Sequence, residues 1–243
     1  MFEGGSAVRL LEADPDLGVG LDERTTRDAR VRLVARLDRV EPGSWDPQRS
    51  LPESHGHLGV LVIEGLMTRD VQIASTTCAE LVGRGDLLRP WDDLRINAPV
   101  QAGIDWHVMV PTELALIDRR LVRALGDWPE VMSVLVLRAV ARAQALAVSL
   151  AISCMHGLKL RLLVLLWHLA DRWGRVGSDG VSVPLALSHR VIGRLVGASR
   201  PSVSTAMKEL EREGVIRPQA EGGWILLGSP PAELTPLALP TKR

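Results

Sequence analysis

A short segment near the C-terminus combines cationic and hydroxyl side chains with the spacing of an amphipathic helix. In residues 199–212, apolar side chains recur at Val203, Met207 and Leu210, the i, i+4, i+7 spacing of a helix with one buried face. The opposite face carries no acid before Glu209. The side chains left on that polar face are Arg200, Ser202, Ser204, Thr205 and Lys208.

These residue types suit the major groove of double-stranded DNA, where a recognition helix places its N-terminal residues against the base edges. An arginine can donate two hydrogen bonds to guanine, and hydroxyls pair with several bases, so we predict base contacts from Arg200, Ser204 and Thr205. Phosphate oxygens suit hydroxyls, ammonium groups and the positive end of a helix. We therefore predict phosphate contacts from Ser199, Ser202 and Lys208.

The flanking residues predict the scaffold that positions this helix. Ser188 is a good N-cap for a preceding helix, whose inner face would be Ile192, Leu195 and Val196, and Gly197 ends that helix. Ser199 then caps the second helix, with Pro201 in its first turn. A short strand is predicted at 181–185, and the segments 215–218 and 223–227 can pair as a β-hairpin. The pattern is that of a winged helix-turn-helix over residues 157–229.

The stretch LSHRVIGRLVGASRPSVSTAMKELEREGVI resembles the DNA-binding segment of the Crp/Fnr regulators. In this resemblance Arg200 matches the family's base-reading arginine, whereas Pro201 stands where many members have a base-reading glutamate and Thr205 where many have a second arginine. These two departures put the family's usual operator sequence in doubt. Positions that touch the phosphate backbone in the family are matched by Ser188, His189, Ser199, Ser202 and Lys208.

The resemblance also implies an architecture and partners. It implies a homodimer with an N-terminal β-roll that senses a signal, a dimerisation helix, and two recognition helices that read a palindrome. Double-stranded DNA and, in the family, RNA polymerase are the implied partners. Two cysteines in 243 residues are typical of a reducing compartment, which agrees with a cytoplasmic regulator.

The N-terminal half predicts the β-rich domain independently. Residues 25–37 are predicted to form a helix, followed by a loop at 41–57. Short apolar runs then alternate with turn residues in a way typical of an antiparallel sandwich or roll, with a loop at 91–103. The predicted strands cover residues 58–65, 67–74, 77–83, 86–90, 104–111 and 112–118.

The sensor site is the least defined part of the chain. Crp/Fnr members that bind cyclic nucleotides use a Gly-Glu segment and a later Arg followed by Ser or Thr. The nearest match here is Gly85-Asp86-Leu87, with Trp91 as a residue that could stack on a ligand. The Arg-Ser/Thr pair does not follow, and Asp92 would repel a phosphate, so a cyclic nucleotide is not expected. No other cofactor is indicated. His55 and His57 lie in a Gly-rich loop and are expected to be solvated, so no metal site is predicted.

A long apolar segment separates the two halves, and a membrane span is not expected there because Arg138 and Arg142 interrupt it. Its small and β-branched residues recur with a 4-3-4-3-4 spacing, the pattern of a close helix–helix seam. We predict that it forms a dimer seam and also contacts its own sheet. The seam residues are Val136, Val140, Ala143, Ala147, Leu150 and Cys154.

The charge distribution and the motifs restrict the classes of function that fit the chain. The chain has no net charge, but residues 158–243 carry 12 Lys and Arg against 7 Asp and Glu, so the C-terminal part is basic and the rest is acidic. Neither a nucleotide-binding glycine motif nor a nucleophile elbow nor an HExxH sequence occurs, so an enzyme is not expected.

The predicted fold is α+β, with an antiparallel β-roll at 1–127, a dimerisation helix at 128–156, the winged helix-turn-helix at 157–229 and a flexible tail at 230–243. The predicted function is a homodimeric, sequence-specific DNA-binding transcription regulator. Three alternatives stay open: a constitutive DNA-binding dimer with a ligand-free roll, a nucleotide-sensing interaction module that does not bind DNA, and a winged helix used for protein contacts.

Overall fold

The computed structural model of the chain describes residues 6–51, 56–92 and 102–231. His55, most of the loop at 91–103 and the tail from residue 232 onward lie outside the described residues. The chain forms two compact units, Met1–Ala145 and Leu146–Arg243. The predicted domain limits stay predictions, since the division into units falls inside the long apolar helix.

The first unit is built on an antiparallel sheet of seven strands. Its main path runs β1-β2-β7-β4-β5, while β3 pairs with β7 and β6 pairs with β4. Its strands are β1 Ser6–Arg9, β2 Val34–Val40, β3 Gly43–Trp45, β4 Gly59–Ile73, β5 Thr76–Gly83, β6 Leu87–Leu88 and β7 Gly103–Ile117. Its helices are α1 Leu10–Ala13, α2 Glu23–Arg32, α3 Pro47–Ser50, α4 Arg119–Ala124 and the first part of α5 Pro129–Cys154.

Two of the predicted breaks between strands are wrong. The pairs of segments 58–65 with 67–74 and 104–111 with 112–118 are each one strand of 15 residues. The expected turn at Gly65 is a β-bulge, where the register against β7 shifts between Val62 and Met67. Gly65 has φ +116°, and a Cβ there would lie 2.2 Å from Oγ1 of Thr112, so glycine permits the bulge without ending the strand.

The prediction of one helix over residues 25–37 is also wrong in its second half. Helix α2 ends at Arg32, and the chain continues as strand β2, which pairs with β1 and β7. Leu33 and Ala35 are buried with the period of two that a strand requires, and this pattern outweighed the helical spacing. The loop predicted at 41–57 likewise contains β3 and the short helix α3.

Two apolar clusters fill this unit. One cluster lies inside the roll and includes Trp45, Val62, Met67 and Trp106. The other lies between the sheet and the helices and includes Leu61, Ile63 and Ile117 of the sheet with Val131 and Leu135 of α5. Alternate residues of β4 thus face the two clusters, which is why both sides of this strand are apolar.

The second unit contains the end of α5, three further helices and a small sheet. The sheet is antiparallel with strand order β10-β11-β9-β8. The predicted hairpin is β10–β11, and β9 and β8 extend it. The sequence predicted β9 but not β8. The elements are α6 Leu158–Trp173, β8 Arg175–Gly177, β9 Gly180–Val183, α7 His189–Val196, α8 Arg200–Arg212, β10 Ile216–Pro218 and β11 Trp224–Leu226.

Candidate nucleic-acid interface

Helix α8 has the two faces that the sequence predicts. Val203, Met207 and Leu210 are buried, and so are Ile192 and its neighbours on the inner face of α7. The opposite face of α8 is open to solvent, and its first turn holds no acid. Its exposed members are Arg200, Ser202, Thr205 and Lys208, whereas Ser204 is half-buried.

Hydroxyl groups organise both helix starts. The Ser188 hydroxyl accepts a hydrogen bond from the backbone N–H of Val191 at 3.3 Å and caps α7. The Ser199 hydroxyl accepts from the N–H of Ser202, also at 3.3 Å, and caps α8. Both predicted caps are confirmed. His189, the first residue of α7, is half-buried beside its cap.

Two other hydroxyls of α8 are engaged within the helix. The hydroxyl oxygens of Ser199 and Ser202 lie 2.8 Å apart as a hydrogen-bonded pair. The Thr205 hydroxyl donates to the carbonyl oxygen of Pro201 at 3.2 Å. The Thr205 hydroxyl, whose hydrogen is used, would accept from a donor on a nucleic acid. Only one hydrogen is used in the Ser199–Ser202 pair, so one of these two hydroxyls can still donate to an acceptor such as a phosphate oxygen.

The turn between α7 and α8 depends on a close backbone approach that the sequence did not reveal. The N–H of Ala198 donates to the carbonyl of Gly193 at 2.8 Å, and Gly197 follows α7 in the left-handed conformation. A Cβ at Gly193 would lie 2.5 Å from the carbonyl oxygen of Ala198. Gly193 is therefore required by sterics rather than by its own backbone angles, so only the folded turn identifies it.

Two acids at the C-terminal end of α8, Glu209 and the C-cap residue Glu213, face a lysine. Lys159 of α6 forms an ion pair with Glu213, and its Nζ lies 3.9 Å from a carboxylate oxygen of Glu209. The N-terminal end of α8, with Arg200 exposed, is left electropositive by composition and by the helix dipole.

The hairpin β10–β11 carries a further cation next to the helix-turn-helix sequence. Arg217 on β10 is exposed and donates to a carboxylate oxygen of Asp179, in the β8–β9 turn, at 2.8 Å. This hydrogen bond, with a second from Ser178, lowers the pKa of Asp179 below its ordinary value. No local sequence pattern marks Arg217, because its partner lies 38 residues away.

The residues predicted for a ligand in the roll lie in and after the β5–β6 turn. Asp86 is buried, and its carboxylate accepts from the N–H of Gly83 at 2.8 Å, which closes the turn just before Leu87, the first residue of β6. A Cβ at Gly85 would lie 3.7 Å from a guanidinium nitrogen of Arg138. Asp86 thus has a structural role in the turn.

Trp91 lies beyond that turn and packs, half-buried, against the cluster inside the roll. Its ring centroid lies 6.1 Å from that of His57, edge to face. Among the described residues, no group of three His, Cys, Asp or Glu side chains is placed to hold a metal ion.

The predicted seam residues share one exposed face of α5. Val136 keeps 52% of its surface exposed, Val140 46% and Leu150 66% in the single chain. Ala143, Ala147 and Cys154 are exposed as well. At 100° per residue, these six positions lie on the side of α5 opposite Arg138 and Arg142, which face the roll.

Comparison with known proteins agrees with this architecture. Residues 160–232 match the family model of the Crp-like helix-turn-helix domain. No curated protein matches the sequence significantly. Solved structures that share the fold have low sequence identity to the chain, so they bear on its fold alone.

Three of these structures cover most of the chain. A cyclic nucleotide-binding domain containing protein from Listeria monocytogenes is 16% identical, with a TM-score of 0.62 over 79% of this chain and 88% of that one. A CooA mutant from Carboxydothermus hydrogenoformans is 17% identical, with a TM-score of 0.59 over 79% and 83%. FixK2 from Bradyrhizobium japonicum is 18% identical, with a TM-score of 0.57 over 81% and 94%.

The matched domain is a Crp-like helix-turn-helix, and the fold around it is the predicted α+β arrangement of β-roll, long helix and winged helix-turn-helix. Residues 160–232 are therefore a Crp-like helix-turn-helix domain, which supports a DNA-binding transcription regulator, and the chain as a whole shares the fold of a solved Crp-family regulator.

Proposed function

We propose that this regulator works as a homodimer that binds a palindromic operator, with one α8 helix in the major groove of each half-site. The observation that carries the proposal is the exposed face of α8, where Arg200 in the first turn and Lys208 further along both come before the first acid of the helix, Glu209. Arg200 would read guanine, Thr205 and Ser204 would contact neighbouring base edges, and Lys208 would bind phosphate.

The remaining phosphate contacts follow from the helix starts. Ser199 and Ser202 lie at the start of α8, and Ser188 and His189 at the start of α7, where backbone N–H groups and the helix dipole favour an anion. Arg217 on β10 extends the cationic residues of this unit to its small sheet. A half-site spacing of about one helical turn, 10–10.5 base pairs, would follow from a two-fold axis.

The exposed stripe on α5 supports the dimer. Six seam positions that include Val140 and Leu150 form an apolar face along a soluble domain, and such a face is typically covered by a partner. Self-association through an isologous contact would cover both copies at once.

By length and composition alone, α5 is also apolar enough to cross a membrane. Arg138 and Arg142 argue against that use, because both form ion pairs with carboxylates of the roll unit. We therefore propose no membrane partner for this helix. A cytoplasmic location, where the chain would meet DNA and RNA polymerase, belongs to the same proposal.

The proposal also includes control of DNA binding by a signal that acts at the roll. A ligand that binds one conformation of the roll better than another would shift the population of DNA-binding dimers. One of the structural neighbours is named for a cyclic nucleotide-binding domain. A ligand other than a cyclic nucleotide is proposed here, because the chain lacks the Arg-Ser/Thr pair and Asp86 is committed to its turn.

A constitutive dimer is the second candidate, and a specific observation favours it. The guanidinium of Arg138 lies against Gly85 and forms an ion pair with the buried carboxylate of Asp14. A cation of the same unit thus already lies beside Gly85 in the turn predicted to hold a ligand. Thermal-shift screening with nucleotides and metabolites separates the two candidates, since a saturable ligand that alters DNA binding excludes the constitutive one.

Selection from a random duplex pool with the purified full chain, at a stated salt concentration, tests the main proposal. Recovery of a palindrome, together with a dimer mass in sedimentation, is the expected result. A single asymmetric half-site bound by a monomer would overturn the dimer. A duplex affinity that does not fall with salt would overturn DNA binding itself and favour an interaction module.

A further inference from the structure

The turn between α5 and α6 is bridged by one arginine. Helix α5 ends at Cys154 and α6 begins at Leu158, with Gly157 at φ +85° between them. Arg161, in the first turn of α6, donates from Nη1 to the carbonyl oxygen of Ser153 at 3.3 Å. The same nitrogen donates to the carbonyl oxygen of Val196 at 2.8 Å.

These two carbonyls belong to the last turns of two different helices. Ser153 lies in the last turn of α5, the proposed dimer helix, and Val196 is the last residue of α7, the first helix of the helix-turn-helix. Carbonyl groups at helix C-termini have no partner within their own helix and carry the negative end of the dipole. One guanidinium nitrogen therefore satisfies both helix ends at once.

Partial burial strengthens the hydrogen bonds from Arg161 to the carbonyls of Ser153 and Val196. Arg161 is part-buried, and its Nε is buried with no hydrogen-bond partner among the residues that the structure describes. Ile152, in the same last turn of α5, is 2% exposed. A cation at least partly removed from water binds carbonyl dipoles more strongly than a solvated one.

We propose that Arg161 is a positioning residue for operator recognition: it fixes the end of α5 to α7, so that the helix-turn-helix cannot pivot freely about Gly157. Gly157 alone, as a glycine between two helices, would allow the chain to pivot at this turn. The bridge has the opposite effect, because the carbonyls of Ser153 and Val196 are held on one nitrogen across that turn. This inference rests on the proposed palindrome-binding dimer.

Loss of Arg161 is expected to change the preferred separation of the two half-sites, and not the affinity for a single half-site. We call the second unit, Leu146–Arg243, the reading unit or reading domain, because it carries α8. If each reading domain of a dimer has a fixed direction, only one separation of the half-sites allows both α8 helices to dock. When Arg161 is removed, each reading domain keeps its own DNA contacts but loses its fixed direction. Binding to one half-site would then be unchanged, whereas the preference for one spacing would be lost.

The test uses Arg161→Met, which keeps an unbranched side chain and removes the donors. Affinities are measured for a single half-site and for palindromes whose spacer is changed by one to three base pairs. We expect Arg161→Met to keep half-site affinity within about twofold and to lose about tenfold on the selected palindrome, a typical size for coupling between two sites. Its affinities for the altered spacers should become nearly equal.

Arg161→Lys serves as the conservative variant and should restore much of the spacing preference, because an ammonium can still donate to both carbonyls. It also keeps the proposal testable if Arg161→Met fails to fold. In that case Arg161→Lys is compared with Arg161→Gln, whose shorter neutral side chain should lose the spacing preference. Lys159→Met is the matched control, since it removes one charge from the same helix but its ion pairs are with α8.

The outcomes separate the inference from the function on which it rests. If the wild-type chain selects no palindrome, the proposed function fails whatever Arg161 does. If the wild type selects a palindrome and Arg161→Met keeps the same spacing preference, or loses half-site and palindrome affinity equally, the positioning role is wrong.

Discussion

Arg142 binds Glu80 through both carboxylate oxygens, with Nε at 2.7 Å from Oε1 and Nη2 at 2.8 Å from Oε2. The side chain of Glu80 is only 9% exposed, and Arg69 lies 3.7 Å away on its other side. This bidentate pair ties α5 to strand β5 of the roll. Arg138, one turn earlier on the same helix, forms the ion pair with buried Asp14.

Removal of Arg142 tests the strength of this tie. Arg142→Met should lower the free energy of unfolding by about 2 kcal/mol, because Glu80 would stay buried with only its weaker partner. Denaturant unfolding followed by circular dichroism gives the value. Arg39→Met removes a solvent-exposed pair with Glu41 and should change stability by less than about 0.5 kcal/mol. Equal effects of the two variants would contradict the buried-pair interpretation.

Arg200 and Lys208 are predicted to act differently on DNA. Arg200→Ala should cost about 1–3 kcal/mol on the selected operator and relax the preference at one base pair. Lys208→Ala should weaken all sequences alike and reduce the slope of log K against log salt by about 0.9. Binding titrations on the operator and on single-base variants at several salt concentrations measure both. A uniform loss from Arg200→Ala would show that this residue contacts phosphate instead.

The close approach at Gly193 predicts a local steric defect. Gly193→Ala should destabilise the reading unit by about 1–3 kcal/mol, since the new Cβ meets the carbonyl of Ala198 and the turn must open. Gly126→Ala is the control, because nothing lies within 4 Å of its added Cβ and its φ is not in the left-handed range. Thermal unfolding compares them; a Gly193→Ala protein as stable as Gly126→Ala would rule out a rigid turn.

The seam on α5 predicts how the chain associates. Val140→Glu should shift the dimer toward monomer, because two carboxylates would be buried against each other near the two-fold axis. Ala141→Glu adds the same charge about 100° away around the helix and should leave the dimer intact. Sedimentation velocity over a range of concentrations distinguishes them. If both variants stay dimeric, association uses a different surface.

His168 gives the reading unit a pH dependence. Burial lowers the pKa of His168 below its ordinary value of 6.5, and the charge of Asp171 opposes this only in part. The unfolded chain then takes up a proton first as pH falls below 6.5, so the free energy of unfolding decreases until the folded-state pKa is reached. His168→Gln should lose this component. Unfolding free energies between about pH 5 and 8 reveal it as the difference in slope between the two proteins; parallel curves would contradict it.

Most of the helix-turn-helix could be predicted from patterns among residues close in the sequence. The caps Ser188 and Ser199 and the buried positions of α7 and α8 depend on neighbours within one or two helical turns, which the sequence displays directly. The need for glycine at 193 does not follow from such patterns, because it arises only when α8 folds back beside α7. The same holds for Arg161, whose acceptor Val196 lies 35 residues away.

The roll was harder to derive because its signals are ambiguous over short distances. Gly65 suggests a turn in the sequence, yet strand β7 pairs on both sides of it and converts it into a bulge. Residues 33–37 fit a helix and a strand equally until β1 and β7 supply partners. The partners of Arg138 and Arg142 were likewise invisible, since Asp14 and Glu80 are distant in sequence.

The two opposite faces of α5 must keep a constant angle around the helix axis along its whole length. We call this angle the phase of the helix, and the number of residues in α5 determines it. Arg138 and Arg142 fix one side, and Ala147, Leu150 and Cys154 continue the seam on the other. Insertion of one residue between Arg142 and Ala147 would turn everything after it by about 100°, out of line with the seam before it. Insertion of seven residues would return to within about 20° while lengthening the helix by about 10 Å. Variation in the length of this helix is therefore expected in steps that restore the phase, such as about seven or eleven residues.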